Sequence, residues 1–196
     1  MTQYSRARHK FKRCRRYNEP GHAHALTFSC FRNRPFFSSD RSRRWFVRAL
    51  EAARDRHAFD LWAWCIMPEH VHVLILPRRN EYSISAILKT LKQSVSRVAL
   101  EHLRDTRSQA MHLLEDRQPN GKVSYRFWQR GGGYDRNLME PATVFAEIDY
   151  IHANPVRRGL CERPIEWAWS SAREYVRAGS GMLRLNLESL PMSVDG

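Results

Sequence analysis

Apolar and polar positions alternate over residues 22–31, HAHALTFSCF, a two-residue period with β-favouring side chains that predicts a strand. The period changes between Asp40 and His57. There Trp45, Phe46, Ala49, Leu50 and Ala53 fall on one stripe, as a helix that buries one face requires. FDLWAWCIM (59–67) reads as a second strand, followed by a Pro68-Glu69 break and by HVHVLILP (70–77) as a third. Two short strands with so tight a connection predict an antiparallel pair. From Ser83 to about Arg104 a second helical pattern places Ile84, Ile87, Leu88, Leu91, Val95 and Val98 on one face, with Lys89, Lys92, Gln93 and Ser96 opposite. Residues 105–124 keep neither period and read as an irregular excursion. FWQ (127–129) is a candidate fourth strand, and RGGGYDRN (130–137) reads as a flexible basic loop. A third helix is expected to begin at Pro141, a residue favoured at the first helical position, and to stop at Asn154-Pro155, because proline disfavours helical geometry in the residue before it. EWAWSSAREY (166–175) is a further helix-like piece.

Strand, helix, two strands, helix, strand is the order of an α+β, ferredoxin-like or RRM-like antiparallel sheet, with helices on one face and the other face open. The expected organisation is a basic arm (1–19), one domain (20–178) and a polar tail (179–196), within the size of a single domain. Charge then narrows the partner. Lys and Arg number 33 against 20 Asp and Glu, a net +13, which favours a polyanion through counterion release. The basic N-terminus has no apolar segment behind it, so a secretory signal is not expected. The longest apolar run, Leu61 to Met67, is far too short to cross a bilayer. Cys14, Cys30, Cys65 and Cys161 are scattered without a CxxC pair. A reduced, cytoplasmic and nucleoid-associated setting with no membrane partner is the expectation.

Two His-x-His pairs raise the question of a metal. On a strand, positions i and i+2 share a face with Cα atoms about 6.5–7 Å apart, so two imidazoles so spaced can converge on one cation. His70-Val71-His72 leads directly into the rigid apolar run Val73–Leu76, whereas His22-Ala23-His24 sits at the mouth of the first strand. Either pair could equally be imidazoles placed for other reasons. Neither a cysteine pair nor HExxH completes a zinc site, and a hard cation such as Mg²⁺ or Mn²⁺ would also want oxygen donors, substrate phosphate included. Tyr150 and Asn154 share one helical face, about 6 Å apart along the axis. They are either a nucleophile and a ligand or a core aromatic and a helix cap, and spacing alone favours the second.

MPEHVHVLILP (67–77) followed by FAEIDYIHANPVRRGL (145–160) resembles the single-tyrosine HUH transposases, most nearly the REP-associated tyrosine branch. FWQRGGGYDRNL (127–138) is similar to the segment before the tyrosine helix in that family, and EWAWSSAREY to its tail, so the likeness spans roughly residues 22–177. The resemblance implies the HUH endonuclease form of the ferredoxin-like fold. It implies a divalent metal, Mg²⁺ or Mn²⁺, held by His70 and His72, with Asn154 at a third-ligand position where related transposases can carry Gln. It implies Tyr150 as the nucleophile that cuts single-stranded DNA, joins covalently to the 5′ phosphate and releases a 3′ hydroxyl. Single-stranded or hairpin DNA, such as repetitive palindromic sequence, is the expected partner. Arg130, Tyr134, Arg136, Lys89, Lys92, Arg157 and Arg158 are the expected contacts, and the protein is expected to act as a monomer although related enzymes work as dimers.

Arg157 and Arg158, just past the tyrosine helix, can offset the negative end of its dipole and also grip a DNA backbone. Tyr134, in the Gly-rich loop, is assigned to DNA contact or packing rather than to attack. Two other functions remain compatible with the residues: a non-catalytic single-strand binder on the same sheet, and a metal nuclease in which water attacks.

Overall fold

The computed structural model describes residues 16–192. Its elements in chain order are β1 (Ala23–Ser29), α1 (Asp40–His57), β2 (Phe59–Ile66), β3 (His70–Pro77), α2 (Ile84–Asp105), a small hairpin of β4 (Glu115–Arg117) and β5 (Val123–Tyr125), then β6 (Tyr134–Leu138), α3 (Pro141–Arg157) and α4 (Ala172–Val176). The main sheet has the order β2-β3-β1-β6 and is antiparallel throughout. With β6 as its fourth strand this is the ferredoxin-like arrangement, and the α+β class read from the sequence is the one observed.

Helices α1 and α2 begin where a serine can cap them. Ser39 accepts from the Ser42 amide and Ser83 from the Ala86 amide, satisfying donors that a helix start leaves orphaned. Their apolar stripes pack α1 and α2 on one face of the sheet, over Leu26, Phe28, Val71, Val73 and Ile75. The centre of that core is aromatic. Phe46 lies 6.1 Å from Phe28, 6.0 Å from Phe37 and 6.3 Å from Trp128, ring centre to ring centre.

Four expectations change. The opposite face is not open: α3 crosses it, and Val144, Ile148 and Ile151 bury against Ala63, Cys65 and Leu74 in a second core. FWQ is not the fourth strand, since only Trp128 bridges to Cys30, and the chain joins the sheet at Tyr134, inside the stretch expected to be a loop. Gly133, φ +77°, makes that entry possible, because a Cβ there would lie 2.3 Å from the Thr27 carbonyl oxygen. The 105–124 excursion is ordered as a 3₁₀ turn over Gln109–Leu114 and the β4–β5 hairpin, with Leu114 reaching the main core. Finally, α3 continues through Pro155 to Arg157. Proline this close to a helix end forfeits one backbone bond, and Pro155 is buried, so its contacts offset that loss.

EWAWSSAREY is helical only over Ala172–Val176. Its first half runs along the outer edge of β2, where Ile66 N–H donates to the Trp169 carbonyl and Ser171 N–H to that of Trp64, closing an edge that would otherwise stay unpaired. Leu183 and Leu185, in the polar C-terminal stretch, insert into the main core. The arm lies outside the described residues except 16–19, where Arg16 reaches Asp135 at 3.2 Å and the Asn18 side chain accepts from the Ile84 amide at 3.2 Å. Among the described residues no helix is long and apolar enough to cross a membrane.

Because Phe46 has no exposed surface and joins three aromatic rings, Phe46→Ala is expected to destabilise the fold by about 3–5 kcal/mol. Urea unfolding followed by tryptophan fluorescence measures it.

Candidate active site

Alternation along β3 decides which way its histidines point. Val71, Val73 and Ile75 anchor in the main core, so His70 and His72 face the other side of the sheet, toward α3. Their rings meet edge to face with centroids 4.8 Å apart and Nε2 atoms 2.9 Å apart. The outer nitrogens are also engaged. His70 Nδ1–H donates to Glu69 Oε1 at 3.1 Å, and His72 Nδ1 lies 2.9 Å from Thr27 Oγ1. Thr27 stands directly opposite His72 in the β1–β3 register, so the ladder itself delivers that hydroxyl. Glu69 is held from the far side by Arg158, whose Nη1 donates to the same Oε1 at 2.7 Å. Burial alone would raise the Glu69 carboxyl. The Arg158 hydrogen bond, with His70 and the Arg158 charge, outweighs it and holds the group below the usual carboxylate range.

This shell fixes the protons. An ionised carboxylate can only accept, so His70 carries its hydrogen on Nδ1 and turns the Nε2 lone pair toward His72. Burial, then the neighbouring His70, pushes the His72 pKa down to about 3. Burial likewise lowers His70, with Glu69 opposing it. Both imidazoles are neutral near pH 7, the form that binds metal. The Thr27 hydroxyl can donate or accept. When it donates, His72 keeps a proton on Nε2 and the short contact is a hydrogen bond. When it accepts, that proton moves to Nδ1 and two lone pairs converge. Two donors each about 2.1 Å from one ion and at a right angle lie about 3 Å apart, so the pair fits a divalent cation. Among the described residues no cluster of three or more His, Cys, Asp or Glu forms around it or elsewhere.

Tyr150 projects from α3 beside this pair. Its ring sits edge-on to His72, centroids 5.8 Å apart at 89°, and 42% of the residue is exposed. The phenol is therefore a surface group within reach of an incoming polymer. Ile148 and Ile151 in the second core and a 2.8 Å contact between His152 Nε2 and Ser171 Oγ set the rotation of the helix. Asn154, one turn on, is buried and its Nδ2 donates to the Tyr150 carbonyl at 2.8 Å. The amide oxygen is the end left free of that bond. The arginines after the helix divide their work: Arg157 stacks over the Tyr150 ring at 5.3 Å, and Arg158 braces Glu69.

The other expected contact residues separate into groups. Tyr134, Arg130 and Lys92 line one opening at the end of the sheet. Lys92 is drawn inward, donating to the Gly131 carbonyl at 2.9 Å with its ammonium 5.0 Å from the Phe28 ring centre, rather than standing on a solvated stripe. Arg130 pairs with Asp116 of the β4–β5 hairpin at 2.9 Å. Arg136 is exposed on β6. Lys89 lies on the outer side of α2, beside Arg56, His57 and Arg97, and the structure does not bring it to Tyr150. The earlier histidine pair stays apart from the later one. His24 is fully buried on the α1–α2 side, between Asp135 Oδ1 at 2.9 Å and Tyr82 Oη at 2.8 Å, and His22 contacts Asn137. Sequence reasoning missed Thr27 and Glu69. Glu69 adjoins His70 and was legible in principle; Thr27 becomes visible only once the strand register is known.

The ferredoxin-like sheet defines a fold class, and comparison with known proteins narrows it to a family. Residues 21–131 match the family model described as transposase IS200 like. The chain belongs to that family. It is 26% identical over 133 residues to a Haemophilus influenzae protein assigned as a REP-associated tyrosine transposase, covering 68% of this chain and 70% of that one. It is 23% identical over 130 residues to the REP-associated tyrosine transposase of Escherichia coli K12, covering 66% of this chain and 64% of the relative. The fold matches a solved REP-associated tyrosine transposase bound to a REP hairpin, with TM-score 0.63, 18% identity and coverage of 90% of this chain and 87% of that one.

If Glu69 orients His70 for an ion, Glu69→Ala is expected to weaken Mn²⁺ binding about 10–100-fold, the usual cost of losing such a partner. Titration calorimetry measures it; unchanged affinity would remove the carboxylate from this role.

Proposed function

We propose that the protein cuts and rejoins single-stranded DNA by transesterification, with Tyr150 as nucleophile and His70 and His72 as ligands of a divalent ion, Mg²⁺ or Mn²⁺. The carrying observation is the exposed Tyr150 ring packed against His72 of a neutral imidazole pair whose Nε2 atoms are 2.9 Å apart. Asn154, through its free amide oxygen, is the third-ligand candidate. A bound ion would supply Lewis-acid polarisation of the scissile phosphate; the chain's own residues do the rest.

The phenolic oxygen of Tyr150 attacks phosphorus. An O–P bond forms as the P–O3′ bond breaks, the departing 3′ oxygen takes up a proton and the phenol gives one up. The 5′ phosphate is then held on the tyrosine, and attack by another 3′ hydroxyl reverses the step on a new strand. One phosphodiester replaces another, so no nucleoside triphosphate is consumed. Arg157, 5.3 Å from the Tyr150 ring centre, opposes the negative dipole end of α3 where charge gathers. Arg130, Tyr134, Arg136, Lys89, Lys92 and Arg158 are proposed DNA contacts, supported by a net charge of +13 and the general role of such charge in phosphate binding. The hairpin in the solved relative of the same fold supports hairpin, repetitive palindromic DNA as substrate.

A labelled hairpin oligonucleotide incubated with the protein and Mg²⁺ or Mn²⁺ is expected to give a covalent adduct that survives denaturing electrophoresis. Tyr150→Phe and chelation should each abolish it. Cleavage that persists in Tyr150→Phe would mean that water attacks, and binding without any cleavage would mean a non-catalytic binder.

A further inference from the structure

β6 leaves β1 at the Tyr134–Thr27 pair, and the chain before it swings out and returns at Gln129, whose N–H donates to the Ser29 carbonyl. An opening of about 510 Å³ remains between the two segments, lined by Thr27, Asn33, Lys92, Gln129, Arg130 and Tyr134 among others. That lies within the roughly 300–1,000 Å³ of sites that enclose small organic groups. Its wall adjoins the histidine pair, since Thr27 also contacts His72.

Three features show a site rather than a packing gap. Lys92 is charged and largely buried, yet the Gly131 carbonyl is its hydrogen-bond acceptor and the Phe28 ring its other close contact; an ammonium has three donors to place. Burial, and secondarily the charge of Arg16, lowers its pKa to about 8, so an anion at this spot would be welcomed. Arg32 and Asn33 both hold left-handed backbone, φ 54° and 51°, a cost that non-glycine residues tend to carry where a side chain must be aimed. The turn is fastened by Arg32 N–H donating to Gln129 Oε1 at 3.0 Å. Among the described residues this leaves the Gln129 NH₂ and the Asn33 side-chain amide without a hydrogen-bond partner, as groups able to read a base. Tyr134, 55% exposed, offers a ring at the mouth.

We propose that this opening takes one unpaired nucleotide of the DNA, its phosphate on Lys92, its base stacked on Tyr134 and its edge read by Asn33 and Gln129. The site rests on the nicking activity proposed above and adds the sequence preference beside the cut. Amides paired to base edges discriminate, whereas a lysine on phosphate does not.

The test uses the full chain carrying Tyr150→Phe, so that DNA stays whole, and a fluorescent hairpin with single-stranded flanks varied one base at a time. At one flank position the preferred base is expected to bind about tenfold or more tighter than the others. Asn33→Gly with Gln129→Glu should flatten that ratio. Glycine keeps the left-handed backbone and glutamate keeps the acceptor for Arg32 N–H, so the fold is retained, as the thermal transition checks. Lys92→Met should weaken all flank sequences alike and reduce the salt dependence by about one phosphate. A ratio unchanged by the double substitution, or no preference at any position, overturns the proposal. Adduct formation by the Tyr150-containing protein is scored in parallel. Adduct with an unchanged ratio removes the nucleotide site alone; a flattened ratio without adduct upholds it and removes the nicking activity instead.

Discussion

One register, β1 against β3, carries the site. It sets Thr27 opposite His72 and Ser29 opposite His70, and it turns the even positions of β3 toward α3 while the odd ones sink into the main core. A slip by one residue would exchange the two faces, turning the imidazoles into the main core and the valines toward α3. The register is held from both sides, because β3 pairs with β1 along one edge and with β2 along the other. The histidines therefore inherit the rigidity of a strand paired along both of its edges.

On that base the local electrostatics form a relay of restraints. Arg158 fixes Glu69, Glu69 fixes the proton on His70, and the lone pair of His70 is thereby aimed at His72. Arg158 and Tyr150 come from the same helix end, so the element that brings the phenol also braces the imidazoles. The third helix must therefore lie across the second face of the sheet. A sheet with that face bare would have nothing to hold a tyrosine beside β3.

Much of this was legible in the chain. Apolar periodicity located α1, α2 and β3 nearly to the residue, since each has a strong one-sided or two-sided pattern and a serine or proline at its boundary. His70 and His72 stood out by type and spacing, whereas Tyr150 was singled out by the family resemblance of its helix. Other features were hidden for physical reasons. β6 is short, polar and led by glycines, so its strand character comes from pairing with β1 rather than from its own side chains. Pro155 reads as a stop, but burial overrides the local preference. Thr27, Asn33 and Gln129 carry no signal in one dimension, because their roles arise only where distant segments meet.

The central claim is that the phenol of Tyr150, and not the exposed Tyr134, receives the phosphate beside the histidine pair. Trypsin separates the two tyrosines, releasing residues 131–136 and 137–157 as different peptides. Mass spectrometry of protein digested after reaction with a hairpin oligonucleotide and Mn²⁺ should find the nucleotide mass on the 137–157 peptide. A nucleotide carried by the 131–136 peptide, or by neither while the DNA is nevertheless cut, would contradict the account.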